Sequence, residues 1–167
     1  MSKQPIFEQE ISMLKKIIIA GLFIWFVATT PVTAAAVSVL VIETGQPAGF
    51  PGNQYSALWE NGLLEVFFES GHIVTNAPLL RLDKNPAGGF PTEADQDFDS
   101  AREGGMDYFI VTIVDTEQYT VYLRLFNTKS QKMIREQIYN GRKPISMKDE
   151  YENIKKAVSA MNAYLYL

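Results

Sequence analysis

Hydrophobic positions along the chain follow three patterns. The first is a continuous run. After Lys15-Lys16, residues Ile17 to Ala28 carry neither charge nor proline, and the small-residue tail Thr29-Thr30-Pro31-Val32-Thr33-Ala34-Ala35-Ala36 follows. The second is a short apolar segment with no polar side, seen in Val37 to Ile42 and in Tyr108 to Val114. Such segments predict strands covered on both faces, as in the centre of an α/β sheet. The third is periodic. Tyr55, Leu58, Trp59, Leu63, Val66 and Phe67 recur every three or four residues behind a capping Asn53, and Gly71 closes the helix they predict. Tyr151, Ile154, Val158, Met161 and Leu165 predict a terminal helix in the same way. Between them, Tyr119, Val121, Leu123 and Leu125 alternate with Thr120, Tyr122 and Arg124, which predicts a strand with one wetter face.

Turn residues divide the rest. His72-Ile73-Val74 reads as a short strand, and Pro78 leads into a loop through Leu79-Leu80. Thr92 is placed to cap an acidic helix over Glu93 to Glu103, closed by Gly104-Gly105. A hairpin turn at Asn127-Thr128-Lys129-Ser130 precedes a further strand near Met133 to Tyr139. The predicted order is β-α-β-α-β-β-β-α, an α/β (α+β) class fold with a mixed sheet of about five strands and helices packed on it.

The initial run changes what kind of protein this is. A cationic step, a dozen apolar residues and a small-residue tail form the pattern of a secretory signal peptide, with small-x-small cleavage positions ending at Ala34 or at Ala36. The alternative is a retained inner-membrane anchor through residues 17–36, since no charge falls between Ile17 and Ile42 and such a length suffices to span a bilayer. Residues 1–36 are therefore read as signal peptide or anchor, and 37–167 as one domain. Removing 36 of the 167 residues leaves 131, enough for one core. The full chain has formal charge −4, and the leader's three lysines against two glutamates put the remainder near −5. That sign repels phosphate backbones, so nucleic acid is excluded as a partner, and contact with a membrane is expected only through the leader if it stays uncut. With no cysteine, packing alone holds the domain, and lipidation at a cysteine is closed.

The run Ala101-Arg102-Glu103-Gly104-Gly105-Met106-Asp107-Tyr108-Phe109-Ile110-Val111, then Val121-Tyr122-Leu123-Arg124-Leu125-Phe126-Asn127-Thr128 and a terminal helix, resembles a group of bacterial envelope domains. These are the amino-terminal domain of the Tol-system propeller protein, the curli-secretion pore subunit and the lipoprotein activators of penicillin-binding proteins. The resemblance spans about residues 37 to 165 and brings no catalytic residue with it. This chain departs from the group in having no cysteine to lipidate and in reading Lys129-Ser130-Gln131 where a turn glycine is usual. The resemblance implies a non-enzymatic, periplasmic accessory or scaffold factor that binds an envelope protein partner.

Candidate chemistry is sparse. His72 is the sole histidine, with no cysteine partner, and reads as structural rather than as a metal ligand or an acid-base group. Asp95, Asp97 and Asp99 alternate as calcium ligands do, yet Ser100 and Met106 occupy the positions that need Gly and Glu. Glycines 45, 49 and 52 follow a strand without the Gly-Lys-Ser/Thr or Gly-x-Gly-x-x-Gly of a nucleotide loop. No metal and no cofactor is expected. A near-repeat stands out: Pro47-Ala48-Gly49-Phe50-Pro51 and Pro86-Ala87-Gly88-Gly89-Phe90-Pro91, each between a strand and a helix. Parallel strands would bring both loops to one carboxyl edge of the sheet. Phe50, Pro51, Phe90 and Pro91 are the candidate partner-binding residues; alternatively both rings plug the core. The competing functional reading is a small periplasmic hydrolase or ligand-binding enzyme that draws on Glu43, Asp115 or His72.

Overall fold

The computed structural model describes residues 34–45, 53–86, 88–143 and 146–166. Strand β1 (Ala36–Thr44) is followed by α1 (Gln54–Glu69), β2 (Ile73–Asn76), β3 (Leu80–Leu82), a 3-10 turn (Thr92–Ala94) and α2 (Asp95–Glu103). Then come β4 (Tyr108–Asp115), β5 (Thr120–Asn127), β6 (Met133–Asn140), α3 (Met147–Asn162) and a closing 3-10 turn (Ala163–Tyr166). Six strands form one mixed sheet in the order β2-β1-β4-β5-β6, with β3 also pairing β1. The class and element order match the expectation, with one strand more. Leu80–Leu82, read as loop, is drawn into the sheet by parallel pairing with Ile42–Thr44.

The two all-apolar segments lie side by side in the middle. β1 and β4 pair in parallel over eight residues, from Val37 opposite Tyr108 to Thr44 opposite Asp115. Their alternating side chains feed two cores. On one face Val37, Val39, Val41, Ile110 and Val114 meet α1 and α3 through Trp59, Leu63, Phe67, Ile154 and Val158. On the other, Leu40, Ile42, Phe109, Val111 and Ile113 meet Ala94, Phe98 and Ala101 of the α2 region. The antiparallel meander β4-β5-β6 extends the sheet, with a bulge opposite Leu125/Phe126.

Local signals act mostly as expected. The Asn53 side chain accepts from the Tyr55 N–H at 2.9 Å, and Gly71 takes φ +84° after α1. Ser146 accepts from the Asp149 N–H to start α3. Thr92 is different: no side chain caps α2, because the 3-10 turn already takes the Asp95 N–H onto the Thr92 carbonyl and the Thr92 hydroxyl turns to its neighbour Glu93. His72 also stays outside β2, its ring buried below β1.

Gly62 sits where α1 crosses α3, and a Cβ there would come 2.5 Å from Ile154 Cγ2. Alanine favours a helix over glycine by about 1 kcal/mol, whereas forcing a methyl into packed space costs about 1–3 kcal/mol. The Gly62→Ala variant should lose up to about 2 kcal/mol in urea unfolding. A gain in stability would show that the two helices can separate freely.

Candidate functional site

The second Gly/Pro loop folds inward. Phe90 is half-buried, its ring edge-on to Phe98 and Phe126, each at 5.0 Å, and tilted against Phe109 at 6.3 Å; Pro91 is buried. Arg124 reaches from β5 to hold this loop, donating to the Gly89 carbonyl at 3.0 Å and pairing with Glu136 at 2.8 Å. The face read as wetter is thus covered at Arg124, which is buried. Phe50 and Pro51 lie outside the described residues. The strands that precede the two loops, β1 and β3, run parallel and end together.

Glu43, Asp115 and His72 do not converge. Glu43 and Asp115 stand at the carboxyl ends of β1 and β4, and each is committed to backbone. Glu43 Oε2 accepts from the Asn53 N–H at 3.1 Å and faces Arg81 at 3.8 Å, fastening the start of α1. Asp115 accepts from the Glu117 and Gln118 N–H groups and shapes the β4–β5 turn. His72 lies at the opposite end of β1, beside Ala35 and so about 26 Å from Glu43 at 3.3 Å per residue. There its Nδ1 accepts from the Ala35 N–H at 3.1 Å, and its Nε2 is 2.8 Å from Asn162 Oδ1. Of the three aspartates, Asp95 and Asp97 occupy the first turn of α2, where burial raises the Asp97 pKa, and Asp99 pairs with Arg102 at 2.7 Å.

The chain instead presents a broad groove of about 860 Å³ that sequence reasoning did not single out. Leu58, Leu64 and Phe68 of α1, Val74 of β2, and Met147 and Tyr151 of α3 line it. Phe68 is 73% exposed, and Ile73, on the neighbouring strand edge, 61%. The signal was present in the sequence: α1 carries more apolar residues than its buried stripe uses, and Leu64 and Phe68, four apart, are the surplus. On the rim, Glu65 bonds both the Tyr151 hydroxyl and Lys155 Nζ, the latter at 2.7 Å. The hydrogen bond from Lys155, then that from Tyr151, holds the Glu65 carboxyl below its ordinary range. Burial, with the Glu65 bond second, pushes the Tyr151 hydroxyl up to about 12. Behind the groove, Glu150 is buried and accepts from the Tyr55 hydroxyl at 3.1 Å. Its place four residues before Ile154 had already put it on the apolar stripe. Among the described residues, no helix is long and apolar enough to cross a membrane and no cluster of metal-binding side chains forms.

A family model described as "Uncharacterised protein" matches residues 52–132. No curated protein matches the sequence. Among solved structures, the chain is similar to the PelC dodecamer from Paraburkholderia phytofirmans, at 15% identity and TM-score 0.47, covering 75% of this chain and 86% of that one. It is also similar to the LpoB C-terminal domain from Escherichia coli, at 14% identity and TM-score 0.41, over 69% and 88%. A third is TolB from Acinetobacter baumannii, at 13% identity and TM-score 0.37, over 83% of this chain and 29% of that one. The resemblance read from the sequence is matched here at the level of the fold.

Two outcomes follow from this geometry. Phe90→Ser should cost about 2 kcal/mol, around half the loss for a fully buried ring, read as a fall in Tm. An unchanged Tm would return Phe90 to the surface. Because the Glu65 pKa is lower in the fold than its ordinary 4.5, its contribution is present above that value and lost as pH falls through the lowered one. Between pH 7 and 3 the urea midpoint of the Glu65→Gln variant should fall less steeply than that of the parent. Parallel curves would show that the rim bonds do not persist in solution.

Proposed function

We propose that the chain is an exported, non-enzymatic envelope protein that works by holding a protein partner in the groove between α1, β2 and the first turn of α3. The leader pattern supports export. The observation that carries the binding step is Phe68, a large ring left mostly in water on the rim of an apolar groove. Burying such a ring against a partner is worth about 2 kcal/mol. On the rim Glu65 and Glu69 pair with Lys155 and Glu60 accepts from the Asn76 amide, while Lys148 lines the groove with its charge in water. A segment with aliphatic residues on one side and a carboxylate to meet Lys148 fits this lining. β2 is an edge strand, so an extended segment can also bond its outer N–H and C=O groups while its side chains enter the groove.

A photo-crosslinking residue at position 68, introduced in intact cells, should join the chain to one envelope protein, and the same residue at the exposed Lys129 should not. Phe68→Asp should weaken binding of that protein about tenfold or more with Tm unchanged. Equal capture from both positions, or unaltered binding by Phe68→Asp, would remove the groove as the docking surface.

A further inference from the structure

The first described residues are tied into the sheet more tightly than a linker would be. The Ala35 N–H donates to His72 Nδ1 at 3.1 Å, and the Ala35 carbonyl accepts from the Ile73 N–H at 3.0 Å. The Ala36 N–H donates to Asp107 Oδ2 at 3.0 Å, and the Ala36 carbonyl accepts from the Asp107 N–H at 2.8 Å. Ala36 opens the β1–β2 register opposite Ile73, and Ala35 is buried with the core. His72 receives the Ala35 N–H at Nδ1, so Nε2 carries the ring hydrogen toward Asn162 Oδ1. The ring therefore joins the start of β1 to the end of α3.

The sequence offers two cleavage points, after Ala34 and after Ala36, and they differ in what they leave behind. A cut after Ala36 makes Val37 the first residue and removes all four of these bonds, together with the buried Ala35. A cut after Ala34 removes none of them. We propose that signal peptidase cleaves between Ala34 and Ala35, and that His72, Asn162 and Asp107 form a cradle for the amino terminus so released. Water is the co-reactant. The Ala34–Ala35 amide C–N bond breaks, the hydroxyl of water goes to the Ala34 carbonyl carbon and its proton to the Ala35 nitrogen, and the new Ala34 carboxyl gives up its own proton to that amine, leaving a carboxylate and an α-ammonium. The new α-ammonium keeps a hydrogen directed at His72 Nδ1, and the Asp107 carboxylate on the next N–H supplies the opposite charge. Burial of Ala35 does not obstruct the cut, because signal peptidase meets the chain during translocation, before the sheet forms.

This inference rests on the exported reading, and one measurement separates the two. Intact-mass and amino-terminal sequencing of the protein from an envelope fraction should give a chain that begins at Ala35. A chain that begins at Val37 or elsewhere, or one retained whole in the membrane, overturns the cleavage point and leaves export standing. A whole chain dissolved in cytosol overturns both. The cradle has its own readout: purified chain from Ala35 should melt several degrees above chain from Val37, and His72→Ala should reduce that difference by the share its one bond carries. A difference unchanged in the His72→Ala background overturns the role of His72.

Discussion

The parallel pairing of β1 with β4 is the contact on which the other elements depend. Two strands with no polar face, eight residues in register, bury side chains on both sides of the sheet. That burial requires helices above and below, and parallel strands require crossovers to connect them. α1 and α2 meet both needs at once. Each leaves a carboxyl end of the sheet and returns at an amino end. The carboxyl ends of β1 and β3 therefore meet at one edge, while Phe68, His72 and Ala35 lie at the other. The separation of Glu43 and Asp115 from His72 is a consequence of this pairing, since no rearrangement of loops can shorten β1.

What the sequence revealed depended on how far each decisive contact lies along the chain. Val37–Ile42 and Tyr108–Val114 were legible because an unbroken apolar segment needs cover whatever its partner is. The stripes of α1 and α3 were legible for the same reason, whereas the role of Gly62, in step with Trp59, Leu63 and Val66, was not, since it depends on the approach of Ile154 from α3. β3 was not, since three residues after Pro78 are too few to show alternation and gain strand geometry only from Ile42–Thr44. Arg124 read as wet because alternation reports the side a residue points to, without saying what lies there. The cover comes from Gly89 and Phe90, 35 residues earlier for the Gly89 bond. The inward turn of Phe90 has the same origin, since its three ring partners come from α2, β4 and β5. The second loop thus completes the core that the short α2 leaves open.

The two edges of the sheet are built differently. β6 exposes Met133, Ile134 and Ile138, yet it sets Arg135 and Glu136 between them, follows Lys132, and carries the bulge opposite Leu125/Phe126. Charges and bulges of this kind keep an edge strand from pairing with another chain. β2 has neither device. Ile73-Val74-Thr75-Asn76 is uncharged and regular in register with Ala36–Val39, and only Pro78 beyond its end limits how far an added strand could extend. Beside it stands the most exposed large apolar side chain among the described residues, Phe68. One edge thus carries charges and a bulge while the other, beside the apolar groove, carries neither, and His72 ties the start of β1 to the head of β2.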